Sequence, residues 1–161
     1  MTTKPEAFEQ ILKQETNLLS SLKELMLEEK LSVESNEIDN LVLIAERKKN
    51  LLDLLESASK TRNEFLLAAV QAPTPEQRMR QYVKQSEPKY ADKLESLVNE
   101  LELTLHECKR QNSENAMIIS MNQRNVERNM NILKGTDNNS MTYTQSGSTN
   151  TTSRTISGLK A

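Results

Sequence analysis

The first 134 residues of this 161-residue chain contain no glycine; Gly135, Gly147 and Gly158 all lie beyond them. Glycine is the commonest helix terminator because it enters the left-handed backbone region at least steric cost. So long a stretch without it is committed to helices that stop at proline or at polar loop residues. The four prolines fit that scheme. Pro5, Pro73, Pro75 and Pro88 stand where helices can start or stop, and none interrupts an apolar stripe.

The stripes themselves recur at intervals of three and four, the spacing that puts side chains on one helix face. Phe8, Ile11/Leu12, Leu18/Leu19, Leu22 and Leu25/Met26 predict helix one over about residues 6–30. Ser35 or Asn36 then offers an N-cap, with Glu37 and Asp39 in the first turn where the helix dipole favours carboxylates. Ile38, Leu41, Ala45, Leu52, Leu55, Ser59, Leu66 and Ala69 mark helix two, about residues 36–70. In "APTPEQ", Thr74 reads as a cap, Pro75 as the first helical residue and Gln77 as the closing residue of a capping box, which gives a short helix to about 84. Ser86 reads as the next cap. The last stripe is Tyr90, Leu94, Leu97, Leu101, Leu105, Cys108, Asn112, Asn115, Ile119, Val126, Met130 and Leu133, and it stops at Gly135. The fold class is all-α: an elongated antiparallel helical hairpin or three-helix, coiled-coil-like bundle over residues 1–135, followed by a disordered C-terminal tail at 136–161.

Composition excludes several functions. Aromatics make up only 3% of the chain, so the core must consist of narrow leucine seams. A net charge of −2, with Arg47-Lys48-Lys49 as the only basic run, argues against nucleic acid as a partner. Apolar runs are far shorter than the roughly 20 residues that cross a bilayer, and the N-terminus lacks a signal-peptide core, which predicts a cytoplasmic protein without membrane insertion. His106 and Cys108 are single residues of their kind and point about 160° apart on a helix, so they cannot work as base and nucleophile. Cys108 reads as a small core filler. One histidine cannot supply a di-iron bundle site, and no glycine-rich phosphate loop exists. The chain is expected to be no enzyme and to need no cofactor or metal.

The informative end is the last helix. At 1.5 Å per residue it should reach about 73 Å, against about 52 Å for helix two and about 37 Å for helix one, so its final turns should overhang from about residue 120. There the seam turns from leucine to asparagine, with Asn122 and Asn129 at its edge, while Met117, Met121 and Ile132 fall about 140 to 160° away on the wet side. Such asparagines fix register in some coiled coils. Methionine on an uncovered helix suits a surface that accepts different partner helices, because the thioether chain repacks easily. Residues 136–161 follow with seven Thr and five Ser, too few apolar side chains to offset the entropy of ordering them.

Several stretches together carry a resemblance: "AERKKNLLDLL" at 45–55, the asparagine-spaced "NVERNMNILKG" at 125–135, and a tail with a tyrosine and "SGSTN". In this order they resemble the FlgN-type flagellar type III export chaperones. The resemblance implies a cytoplasmic chaperone that binds the C-terminal helices of the hook-associated (hook–filament junction) proteins, prevents their premature assembly and delivers them to the flagellar export apparatus, with its gate and ATPase complex components. It implies that the last helix and the tail hold the client, which points to Met117, Met121, Asn122, Val126, Asn129, Met130, Leu133, Met141 and Ile156, and that Tyr143 docks at the export gate. Thr144 stands where a glycine commonly follows that tyrosine, although Gly147 matches the later one. The competing expectation is a structural coiled-coil protein that self-associates through the same seam. A vacant seam would in either case invite a homodimer of the unloaded protein.

Overall fold

The computed structural model describes residues 4–135 and, as backbone, residues 141–143 and 149–151. Among the described residues there are four helices, α1 (Pro5–Glu34), α2 (Ile38–Ala69), α3 (Pro75–Gln85) and α4 (Pro88–Leu133), and two short strands, β1 (Met141–Tyr143) and β2 (Thr149–Thr151). The chain divides into two compact units, Met1–Ile118 and Ile119–Ala161, and the division falls inside α4.

Helix ends follow the sequence logic with two corrections. Pro5 and Pro75 occupy first-turn positions, and Thr74 Oγ1 accepts the Gln77 N–H at 3.2 Å, as its cap position predicts. Ser35 and Asn36, however, do not cap α2. They end α1, which runs four residues longer than expected. Asn36 takes a left-handed φ of 56°, its N–H donates to the Val33 carbonyl at 3.3 Å, and the Glu37 N–H donates to Ser32 at 2.9 Å. That is a Schellman stop built on asparagine, which tolerates the left-handed region better than other residues with a Cβ. Ser86 likewise faces backwards. Its hydroxyl donates to the Tyr82 carbonyl at 2.8 Å and so closes α3, while Glu87 precedes Pro88 and accepts from the amides of Tyr90 and Ala91. At the far end Gly135, at φ +70°, donates to the Ile132 carbonyl and stops α4.

Side-chain bonds give the directions of packing in the first unit. Pairs joining α1 to α2 grow further apart in sequence as they leave the loop, from 8 residues at Ser32–Asn40 to 19 at Glu29–Lys48, so these helices are antiparallel. Pairs joining α1 to α4 keep a constant offset: Glu6–Tyr90 and Lys23–Glu107 both span 84 residues. The α4 helix is therefore parallel to α1 and antiparallel to α2, an up-down-up bundle with α3 inserted before the third long helix.

The core has two parts. At one end, three of the chain's five aromatic residues meet: Phe8 stacks on Phe65 at 5.2 Å between centroids, and Tyr82 stands edge-on to both, at 4.8 and 5.3 Å. This cluster is how α3, through Met79, Tyr82 and Val83, seals the bundle. Further along, α4 buries Leu94, Val98, Leu101, Cys108, Gln111 and Asn115, at steps of three, four and seven residues. Cys108 is buried, as expected of a filler, and its thiol donates to the Leu19 carbonyl at 3.3 Å. The expected stripes are rotated in places. Val98 and Gln111 are buried on α4 whereas Leu105 and Asn112 are not, and on α2 the buried side follows Ile44, Phe65 and Leu66 while Ile38 and Leu52 stay exposed.

Candidate functional site

The polar residues that replace leucine in α4 divide into two groups. Asn115 is fully buried and spends both its amide donors, and its oxygen once, inside the first unit. Its Nδ2 donates to the Met26 carbonyl and to Glu29 Oε2, both at 2.7 Å, and its Oδ1 accepts from Gln111 Nε2 at 2.8 Å. Glu29 in turn accepts from Lys48 at 3.1 Å, and the same lysine donates to Asn112 Oδ1 at 3.0 Å. The network ties α1, α2 and α4 at one level, the arrangement by which a buried asparagine fixes register.

Beyond Asn115 no side chain of α4 is buried. In the second unit, Ile119 and Asn122 are half-covered, whereas Val126, Asn129, Met130 and Leu133 are exposed, Leu133 by 86%. At 100° per residue, Ile119, Asn122, Val126, Asn129/Met130 and Leu133 fall on one face at the 3–4 spacing of a coiled-coil seam. Met121 and Ile132, both exposed, lie on another face of the same segment, and Met117, in the first unit, is exposed as well. All seven α4 residues expected to touch a client are thus placed at or near the surface. Within the second unit, Val126, Met130 and Leu133, with Asn122 and Asn129, form one apolar helix face with polar interruptions.

The tail candidates stand apart. Met141 and Tyr143 belong to β1, whose backbone pairs antiparallel with β2 in the register Met141↔Thr151 and Tyr143↔Thr149. The strand pair had no signal in the sequence, where the segment shows no period. Thr144, Gly147 and Ile156 lie outside the described residues.

The electrostatics of the first unit are those of a scaffold. Hydrogen bonds from Lys13 and then Lys93 hold the Glu9 carboxyl below its usual range, and a bond from Lys23 does the same for Glu107. Burial pushes the Cys108 thiol up, against the opposing pull of Lys23. Glu15 is also raised by burial, against the opposing pull of Arg62. No helix among the described residues is long and apolar enough to cross a membrane.

Comparison with curated proteins gives no match, and comparison with solved structures gives none either. The model of one family, described as FlgN protein, matches residues 1–151, which takes in all four helices and both strands. The chain therefore belongs to the FlgN family of flagellar export chaperones.

Proposed function

We propose that this protein is a cytoplasmic chaperone for the hook–filament junction proteins, binding their C-terminal helices, keeping them unassembled and passing them to the export apparatus. The observation that carries the reading is the run Val126, Met130 and Leu133: apolar side chains at seam spacing on a helix that buries nothing from residue 116 onward. Leaving such a face in water is unfavourable by about 25 cal/mol for each Å² of apolar surface, and a partner helix with a matching stripe recovers it. Met121 and Met130 add adaptability, which suits a chaperone with more than one client. Met141, Ile156 and the tail around them extend the grip, and Tyr143 contacts the export gate. A client held by a modest apolar face and a short tail is bound selectively but remains releasable.

The test is titration of C-terminal peptides of the junction proteins onto the intact chain and onto Val126→Asp and Met130→Asp. Each substitution places a charge in the contact without touching a buried residue, so affinity should fall at least tenfold with helicity and melting temperature unchanged. Unchanged affinity would remove this face from the client site. Sedimentation of the unloaded protein separates the alternative, because a self-associating coiled coil is dimeric and loses its dimer in the same variants.

A further inference from the structure

The first unit holds a cavity of about 430 Å³, open along one side, between α2 and α4 and floored by α1. Its walls repeat at helical spacing on all three sides. The floor is Glu15, Leu19, Leu22 and Met26; the α2 wall is Lys48, Leu52, Leu55, Ser59 and Arg62; the α4 wall is Leu105, Cys108 and Asn112. Apart from Glu56 and Lys109 on the rims, every step is three or four residues, the lattice of holes that three helices of a four-helix bundle offer to a fourth. A compact small molecule would have no use for that periodicity. The trough has defined ends, the Lys48–Asn112 bond at one and the Glu15–Arg62 pair at the other, and the 14 residues from Lys48 to Arg62 make it about 21 Å long. That is about four turns of a guest helix.

Two features narrow the guest. The Glu15 side chain is only 8% exposed, and its Oε2 lies 3.3 Å from Arg62 Nε, yet neither atom makes an aligned hydrogen bond. Both atoms are closed to solvent, so the ion pair belongs to the wall that ends the trough and offers a guest no polar contact there. On the rims, Glu56 and Lys109 line the trough on α2 and α4, and neither side chain has an ion-pair partner among the described residues. Charge complementarity asks for a basic flank towards α2 and an acidic flank towards α4. Leu52, 48% exposed, and Leu105, 38% exposed, supply apolar rims.

We propose that this trough between α2 and α4 seats an amphipathic helix of an export client as the fourth helix of the bundle, with its basic flank towards Glu56 and its acidic flank towards Lys109. The identity of the guest as a client rests on the function proposed above; the shape of the seat does not. The second apolar surface also separates two tasks, since a client helix in the trough leaves Val126, Met130 and Leu133 for a different segment of the same client.

The experiment uses the intact chain and two probes: C-terminal peptides of the junction proteins, and a designed 18-residue helix with leucines at 3–4 spacing, a lysine flank and a glutamate flank. Affinity is read for wild type, Leu52→Arg, Leu105→Arg and Glu56→Lys, together with the alkylation rate of Cys108, the only cysteine, whose side chain lines the trough. The proposal expects a loss of tenfold or more for junction peptides with the two arginine variants, slower alkylation of Cys108 on binding, and recovery of Glu56→Lys by a designed helix whose lysine flank is replaced by glutamate. Loss only in Val126→Asp and Met130→Asp, with Cys108 unprotected, overturns the trough and leaves the chaperone reading standing. If wild type binds no junction peptide, the chaperone reading fails. The designed helix then decides the seat: binding with Cys108 protected supports it, and no binding overturns it. A dimer of the unloaded chain that Leu105→Arg dissociates would place a second copy in the trough and overturn the client assignment.

Discussion

Asn115 and Asn112 are three residues apart and chemically identical, yet burial gives them different weights. Asn115 completes three hydrogen bonds, one of them to a carboxylate, whereas Asn112 sits at the surface and accepts one bond from Lys48. Asn115→Ala leaves Gln111, Glu29 and the Met26 carbonyl short of a partner in a buried place, and should cost about 2 kcal/mol in urea unfolding. Asn112→Ala should cost under about 1 kcal/mol. Equal effects would show that the network is not the fastening it looks like. Glu9 makes the pH dependence testable in the same way. Lys13 and Lys93 reach its Oε1 at 2.5 and 2.7 Å and lower its folded-state pKa, so its contribution is complete above the ordinary carboxylate value of about 4.3 and is lost as pH falls below it towards the lowered one. Wild type should therefore unfold at a higher urea concentration than Glu9→Gln at pH 7, and the gap should narrow steadily as pH is lowered below the ordinary carboxylate value.

Among the elements, α1 and α4 end by the same geometry with different residues, Asn36 and Gly135, both left-handed. Asn36→Gly should leave stability unchanged or slightly raised, while Asn36→Ala should lower the unfolding free energy by about 1 kcal/mol, because alanine has no side chain to offset the left-handed strain. The contrast explains why this boundary was misplaced by sequence: Ser-Asn is as good a start signal as it is a stop, and only the backbone conformation decides. The existence of all four helices was legible, since Pro5, Thr74-Pro75, Pro88 and Gly135 signal in one direction only. The stripe of α2 was less so. Ile38, Leu41, Ala45 and Leu52 form a stripe as regular as the one that is buried, and single-helix periodicity cannot tell which of two apolar faces meets α1. The same ambiguity hid the trough, whose α2 rim is Leu52. On α4 the apolar side chains that persist past Leu105 are legible in the sequence, but the separate fate of Asn115 depended on Met26 and Glu29, 89 and 86 residues away.

At the scale of the whole molecule, the question is whether residues 136–161 contribute to holding the client or merely follow α4. Their composition allows a clean test: apart from Met141, Tyr143, Ile156, Leu159 and Ala161 they are polar or glycine, so they have little apolar surface to add to a core. Removing them should leave the helical signal of α1 to α4 and the melting temperature as they are. If Met141 and Ile156 make apolar contacts with a client, each fully buried side chain is worth about 1.5–3 kcal/mol, and the truncated chain should bind junction-protein C-terminal peptides at least tenfold more weakly. Calorimetric titration of both forms measures the difference. Equal affinity would take the tail out of the grip and put the client on helix alone. A fall in melting temperature would instead mean that the tail packs on its own helices, and that the loss of binding reports damage to the fold. With the fold intact and affinity reduced, Tyr143→Ala separates the two remaining tasks of the segment, since a residue that serves docking leaves client affinity untouched while export of the junction proteins falls.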